Sequence, residues 1–309
     1  FRSLLRSSLM GYSLKRMLDM FHPKVVVIND DCITTRPICL AQVKVIIMQS
    51  ARMSEHLEIC RRILYEEKDT RPDYFLTSGE AFRKMKEWSG AAEKVVVTGL
   101  PRYDVLKSAP NIYSRQNFLK RFDINPEKKI VLWLTQSHAL NEEENARNIS
   151  TIFGTIKEVP DTFLVIKQHP AEPPRYTQMI EKMMREYEVN GILMPKDIDT
   201  YELLYISDII IIKNSTTAME AIVLGKPVIS LNLSGQPDPV EYVREGVALG
   251  ITDSRLLKDG IGQLLKDDHE LAANRQKYIE EYLYKVDGQA THRVINIILD
   301  CLGKVELKN

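Results

Sequence analysis

The chain has 309 residues, of which 44% are hydrophobic and 27% are charged, as expected for a globular protein large enough to form two domains. Its 42 basic and 42 acidic residues give a formal net charge of zero. This balance argues against a nucleic-acid binder, because such proteins carry a basic excess. The four cysteines show no CxxC or zinc-finger spacing, so we expect reduced thiols and a cytoplasmic protein.

The first twenty residues have the periodicity of an amphipathic helix and are rich in arginine, with no acidic residue before Asp19. We interpret this segment as a crossover helix that leads into the apolar run 25–28, as a βαβ unit requires. A helix at the membrane surface is the alternative, since basic amphipathic helices bind anionic lipids. Peripheral association with the inner face of the cell membrane is therefore a further option for a cytoplasmic protein.

Four short runs rich in valine and isoleucine alternate with helical patterns in the first third of the chain. These runs are residues 25–28, 45–48, 74–76 and 95–97. Apolar strands separated by helices predict a parallel sheet that is covered on both faces. A sheet that began at Val25 would leave one strand edge unpaired. We therefore expect the sheet either to extend upstream or to pair with another subunit in a homodimer, with a short domain in which residues 25–28 form a short edge strand as the alternative.

The alternation breaks in a polar stretch that contains three prolines, Pro101, Pro110 and Pro126. This break predicts an N-terminal domain over 1–108, a linker over 109–127 and a C-terminal domain over 128–309. The last domain has six further apolar runs and two closing helices. The runs are residues 130–134, 163–166, 192–194, 208–212, 227–231 and 247–251, and the helices lie near 269–285 and 289–302.

The predicted fold class is α/β, with two Rossmann-like, doubly wound parallel-sheet domains. Ligands of such sheets bind outside the carboxyl ends of the strands, at the point where the strand order reverses. Two such edges that faced each other would form a cleft between the domains, which is a common place for a ligand.

The strongest candidate site follows the run 208–212. It reads Lys213-Asn214-Ser215-Thr216-Thr217 and opens a helix that contains Glu220. Serine and threonine are preferred helix N-caps, and the N–H groups of a helix start bind anions. Three hydroxyls exceed what one cap needs. We therefore predict that Asn214 to Thr217 bind a phosphate and that Glu220 reaches a ribose, with simple helix capping as the alternative.

Two more candidate sites follow predicted strands. In Lys167-Gln168-His169-Pro170, the histidine is fixed by the next proline and is expected to face the ligand. His169 would donate to a phosphate oxygen or assist a leaving group, beside the cation of Lys167. Asp30 and Asp31 follow the run 25–28 and could supply a general base for an acceptor hydroxyl, with a solvated loop as the alternative.

Several familiar motifs do not occur in the sequence. It has no GxGxxG loop and no Walker loop, so a dinucleotide dehydrogenase or a P-loop kinase is not expected. It has no GxSxG elbow and no HExxH pair, which argues against a serine hydrolase and a zinc enzyme. We therefore expect no metal and no cofactor.

Residues 214–221, followed by Gly225-Lys226-Pro227, resemble the donor site of GT-B glycosyltransferases and of UDP-N-acetylglucosamine 2-epimerases. Residues 167–170 resemble the His-Pro motif of capsule-type Kdo, sialic acid and polysialic acid transferases and of CDP-glycerol glycerophosphotransferases. Residues 99–104, and Asp287-Gly288-Gln289 with Arg293, look like the same group.

The resemblance implies a role for each matching residue. An acidic pair supplies the base, at Asp30 and Asp31, although Cys32 stands where some members have glycine. The His-Pro histidine, His169, serves the donor phosphate, and Ser215 with Thr216 binds it. Members usually have several strands before the one that corresponds to 25–28, so the resemblance also implies a truncated N-terminal domain.

These observations favour a metal-independent glycosyltransferase or glycerophosphotransferase of surface polysaccharide or glycoconjugate synthesis. It would use a CMP-, CDP- or UDP-activated donor and a glycan or lipid-linked acceptor. The first alternative is an enzyme similar to UDP-N-acetylglucosamine 2-epimerase, which would release UDP without an acceptor. The second alternative is a non-catalytic protein that binds sugar nucleotides.

Overall fold

The computed structural model describes residues 13, 16–29, 43–49, 72–90, 92–136, 140–236 and 242–303. The chain splits into two compact units. Unit 1 comprises Phe1–Lys107 together with Ile279–Asn309, and unit 2 comprises Ser108–Tyr278.

Besides a helical segment over 16–21, the described residues form ten strands and eleven α-helices, which are numbered here in chain order. The strands are β1 (Val25–Asn29), β2 (Lys44–Met48), β3 (Tyr74–Thr77), β4 (Lys94–Val97), β5 (Lys129–Leu134), β6 (Thr162–Lys167), β7 (Gly191–Leu193), β8 (Ile209–Ile212), β9 (Val228–Leu231) and β10 (Leu249–Ile251). The helices are α1 (Glu80–Ser89), α2 (Asp104–Lys107), α3 (Ala109–Ile112), α4 (Arg115–Arg121), α5 (Glu142–Glu158), α6 (Pro174–Tyr187), α7 (Thr200–Ile206), α8 (Ala218–Val223), α9 (Leu257–Lys266), α10 (His269–Tyr278) and α11 (Ala290–Cys301).

The sheet of unit 1 contains four parallel strands in the order β1-β2-β3-β4. Side chains alternate between its faces, and both faces are covered. Val45 and Phe75 pack on one side, while Ile46 and Leu76 pack on the other. In the part of the chain that the structure describes, β1 is an edge strand, and its Val27 is 42% exposed.

The last helix, α11, packs on the sheet of unit 1. Its Val294 lies in the same apolar cluster as Ile46 and Leu76. The sequence pattern instead predicts a C-terminal domain over 128–309. The apolar face of α11 is visible in the sequence, but the sheet that covers this face is fixed only by tertiary packing, so the predicted boundary is wrong for residues 279–309.

The sheet of unit 2 contains six parallel strands in the order β10-β9-β8-β5-β6-β7. The chain enters at β5, builds outward to β7, and then returns to place β8 on the other side of β5. The strand order therefore reverses between β5 and β8. Together the two sheets confirm the predicted α/β fold with two Rossmann-like parallel-sheet units.

The largest apolar cluster of unit 2 in the described residues lies between one face of this sheet and the helices α5, α6 and α9. Trp133 of β5 meets Phe153 of α5 edge to face, with ring centroids 6.2 Å apart. Ile180 of α6 and Ile261 of α9 belong to the same fully buried cluster. Such strands carry apolar residues without interruption because helices cover both faces. Among the residues that the structure describes, no helix combines the length and apolar character that a membrane span requires.

The stretch predicted as a linker, 109–127, is an ordered part of unit 2. Phe118 of α4 is fully buried. Arg115 donates to the carboxylate of Asp208, 2.9 Å away, and to the backbone oxygen of Lys128. Pro110 lies in the first turn of α3, where its missing N–H costs no hydrogen bond. Pro110 therefore marks the start of a short helix, while Pro126 lies in the turn before β5, and residues 109–127 are not a linker.

Candidate functional site

The carboxyl ends of β5 and β8 are joined by the side chain of Gln136. Its Oε1 accepts hydrogen bonds from the backbone N–H groups of Lys213, at 3.0 Å, and Asn214, at 2.9 Å. Its Nε2 donates to Oδ1 of Asn214 at 2.6 Å. Gln136 thereby fixes the start of the 213–217 turn at the point where the strand order reverses. Sequence reasoning missed Gln136, although a polar residue just after a buried strand was the signal that could have found it.

A small surface pocket opens beside Gln136 and Lys213. The N-terminal part of α5 and the ends of β5, β8 and β9 form its walls. It lies at the point where the strand order reverses, which is where the sheet topology predicts a ligand.

The 215–217 turn leads into α8. Oγ of Ser215 accepts the backbone N–H of Thr217 at 3.2 Å, and the carbonyl of Thr216 accepts the N–H of Met219 at 3.0 Å. Thr217 is the N-cap of α8, but its side chain makes no capping hydrogen bond. The hydroxyl oxygen of Ser215 therefore stabilises the turn itself. Thr216 and Thr217 are half-buried at the strand end, and the side chain of Thr217 does not cap the helix.

Glu220 lies in the first turn of α8 and is only 5% exposed. Its position one turn into the helix agrees with the sequence analysis. A contact between its carboxylate and a ribose stays a prediction.

His169 lies in a tight turn after β6. Its backbone carbonyl accepts the N–H of Glu172 at 3.0 Å, with Pro170 as the second residue of the turn. Its Nδ1 accepts the N–H of Ala171 at 3.1 Å. A neutral imidazole whose Nδ1 accepts a hydrogen bond carries its proton on Nε2. In its neutral state, the exposed ring of His169 therefore carries its proton on Nε2, which can act as a donor.

Lys167 is only 6% exposed, and its ammonium donates to the backbone oxygen of Lys196 at 2.9 Å. Burial lowers the pKa of Lys167, and the nearby Asp197 opposes this shift in part. This ammonium therefore already has a hydrogen-bond acceptor within the protein, in the loop after β7. Its predicted contact with a phosphate stays a prediction.

Asp30 and Asp31, the predicted general bases, lie outside the described residues. The described ranges contain no group of three or more histidine, cysteine, aspartate or glutamate side chains that would hold a metal ion.

The remaining motifs that carried the resemblance stabilise unit 1. Asp104 accepts hydrogen bonds from the backbone N–H groups of Ala290, at 3.0 Å, and Thr291, at 2.8 Å, at the start of α11. Arg293 pairs with both carboxylate oxygens of Asp287 and donates from Nε to the carbonyl of Thr98 at 2.7 Å. The hydrogen bonds from Arg293 hold the pKa of Asp287 below its usual value. These residues hold α11 in place.

The two parallel-sheet units define a Rossmann-like α/β fold of the GT-B type. A sequence model described as UDP-N-acetylglucosamine 2-epimerase matches residues 73–299. This match covers most of the chain, which therefore belongs to the UDP-N-acetylglucosamine 2-epimerase family. No curated protein matches the sequence closely enough to count as a relative.

Solved structures with a similar fold include one protein in complex with UDP and one with a sugar nucleotide. One is the S. aureus MnaA–UDP co-structure, with a TM-score of 0.69 and 20% identity over 98% of this chain and 82% of that chain. Another is UDP-GlcNAc 2-epimerase from Neisseria meningitidis bound to UDP-GlcNAc, with a TM-score of 0.66 and 20% identity over 95% and 81%. A glycosyltransferase from Rickettsia africae has a TM-score of 0.58 and 14% identity over 96% and 81%. At these identities the likeness supports the fold.

Proposed function

We propose that this protein binds UDP-N-acetylglucosamine, or a close relative of it, and inverts the configuration at C2 of the sugar. The observation that supports this best is the family match over residues 73–299, which includes the strand ends that carry His169 and the 214–217 turn. The proposal replaces glycosyl transfer as the preferred function, because the match is to an epimerase family while the transferase likeness rests on fold alone.

Inversion at C2 requires a proton to leave this carbon and return on the opposite face. Loss of the C1 diphosphate together with the C2 proton gives a neutral alkene. Addition of a proton at C2 and of the diphosphate at C1 then restores the sugar nucleotide. The reaction is therefore helped by any group that stabilises the charge on the departing diphosphate.

The residues at the carboxyl ends of β6 and β8 suit this task. In the proposal, Nε2–H of His169 donates to one phosphate group, while the hydroxyls of Ser215 and Thr216 and nearby backbone N–H groups contact the other. Donors that are already oriented before the reaction cost no reorganisation as charge develops. The Gln136 bridge and the turn around His169 supply this orientation.

Incubation of the full chain with UDP-N-acetylglucosamine in D₂O tests the proposal. We expect proton NMR to show the C2 epimer, or the free epimeric sugar with UDP, with deuterium at C2 and with no acceptor present. Recovery of UDP-N-acetylglucosamine without deuterium, in a preparation that binds UDP, would contradict it.

The same assay separates the proposal from glycosyl transfer. A transferase would release UDP only after a glycan or lipid-linked acceptor is added, and it would leave the C2 proton in place. A His169→Asn variant tests the role of the imidazole in the same assay. It removes the imidazole donor and should lower the rate of deuterium incorporation by roughly a hundredfold, the usual scale of a lost electrostatic donor.

A further inference from the structure

A buried polar network lies directly beneath the His169 turn, and the proposed function does not use it. Four of its members are almost completely buried at the carboxyl ends of β5 and β6. They are Thr135, Lys167, Gln168 and Glu172. Buried polar groups are costly unless they are hydrogen-bonded, so a network of this kind fixes its members in one arrangement.

Glu172 is the centre of this network. Its Oε2 accepts hydrogen bonds from Oγ1 of Thr135 at 2.7 Å and from Nε2 of Gln168 at 3.2 Å. Its backbone oxygen also accepts a hydrogen bond from the ammonium of Lys196. Only 3% of Glu172 is exposed. The carboxylate therefore attaches the turn to β5, the neighbouring strand.

The same residue closes the turn that presents His169. The N–H of Glu172 donates to the carbonyl of His169, and Pro170 and Ala171 lie between them. Ala171 donates to Nδ1 of the imidazole, so the orientation of the ring depends on the position of this backbone. Displacement of Glu172 would move Ala171 and release Nδ1.

We propose that Glu172 is a positioning residue for His169. It holds the His-Pro turn against the end of β5 and thereby keeps the imidazole in the tautomer whose Nε2–H can donate to a diphosphate. The inference rests on the proposed function for the identity of the ligand, but the orientation of the ring can be measured without any ligand.

The test is long-range ¹H–¹⁵N NMR of the histidine side chains in the full-length protein, with His169→Asn to identify the signal of His169. In the wild type, Nε2 of His169 should be protonated and Nδ1 should accept a hydrogen bond. In Glu172→Ala the two tautomers should mix. UDP should bind roughly ten- to a hundredfold more weakly, which is the scale of one lost hydrogen bond to a charged group.

Two milder variants keep the test valid if Glu172→Ala does not fold. Glu172→Gln retains an oxygen that can accept from Thr135, so it should restore the wild-type tautomer. Thr135→Val removes only the hydroxyl that attaches Glu172 to β5, so it should shift the tautomer in the same direction as Glu172→Ala. Thr155→Val is the matched control, because Thr155 is also a buried polar residue but lies near the end of α5.

Folded Glu172→Ala and Thr135→Val proteins that both keep the wild-type tautomer would overturn the inference. A shifted tautomer with unchanged UDP affinity would support the positioning role and would contradict the proposed contact between His169 and the phosphate. The two proposals can therefore fail separately.

Discussion

The side chains of Gln136 and His169 stabilise neighbouring loops in the same way, because each accepts hydrogen bonds from backbone N–H groups. Gln136 accepts two such groups at the start of the 213–217 turn, and Nδ1 of His169 accepts one within its own turn. In both places a loop at a strand end is fixed by a side-chain acceptor and not by backbone hydrogen bonds between neighbouring strands. Polar side chains that perform this task orient the nearby groups that we propose to contact the ligand.

Substitution of Gln136 by alanine should weaken UDP binding by roughly tenfold or more. The half-buried N–H groups of Lys213 and Asn214 would each lose a hydrogen bond worth about 0.5–1.5 kcal/mol, so the turn that we propose to contact the phosphates would be less well fixed. Calorimetric titration with UDP measures the effect. Gln136→Glu is the informative control, because it keeps an acceptor for both N–H groups but adds a negative charge near the phosphates. We expect it to fold well and bind poorly, whereas wild-type affinity in both variants would contradict this role.

The double variant Ser215→Ala, Thr216→Val tests the phosphate contact itself. It should weaken the binding of UDP while leaving the binding of uridine unchanged, because the nucleoside has no phosphate to lose contact with. A parallel loss of affinity for uridine would instead indicate that the variant disturbs the fold of the turn. A crystal soaked with UDP that placed the diphosphate away from residues 213–217 would contradict the assignment directly.

At the scale of elements, the start of α11 is held by a residue almost two hundred positions earlier in the chain. The N-cap of α11, Gln289, makes no side-chain capping hydrogen bond. Asp104 accepts the N–H groups of Ala290 and Thr291 instead, and also the hydroxyl of Thr291 at 2.6 Å. A carboxylate at a helix start also interacts favourably with the helix dipole.

Asp104→Ala should therefore destabilise α11 by about 1–2 kcal/mol, the cost of a lost N-cap. Hydrogen exchange should become faster in the first turn of α11, while the affinity for UDP, which we assign to unit 2, should not change. Asp104→Asn keeps an acceptor oxygen and should lose less stability. If Asp104→Ala lowered UDP affinity and left the exchange of α11 unchanged, residues 99–104 would belong to the binding site after all.

The strands could be predicted from the sequence, because runs of valine and isoleucine that are buried on both faces leave a direct local pattern. All ten observed strands overlap predicted runs. The location of α11 could not be predicted, since Val294 has the same local pattern whichever sheet it covers. His169 and Ser215 were found because each directly follows a recognisable strand. Glu172 and Thr135 were not found, because their contact joins residues 37 positions apart in sequence.

At the scale of the whole molecule, a formal net charge of zero gives the ligand no general electrostatic attraction. In the proposed function, recognition of an anionic sugar nucleotide must then come from local donors. We assign these donors to the carboxyl ends of the strands in unit 2, where His169 and the 214–217 turn follow β6 and β8. These strands flank β5, so the candidate donors are separated by a single strand.

This arrangement predicts which nucleotides stabilise the folded protein. Two sets of donors suit a diphosphate better than a monophosphate, so UDP should raise the melting temperature more than CMP in a screen that also includes CDP and GDP. At a hundredfold excess over its Kd, a ligand that binds only the folded state adds about 2.7 kcal/mol of stability. For a unit of this size that corresponds to a shift of roughly 5–10 °C. The shift should shrink in His169→Asn and in the Ser215, Thr216 double variant, and it should persist in Asp104→Ala. A larger shift with CMP than with UDP would contradict the proposed substrate and would favour a transferase with a CMP-linked donor.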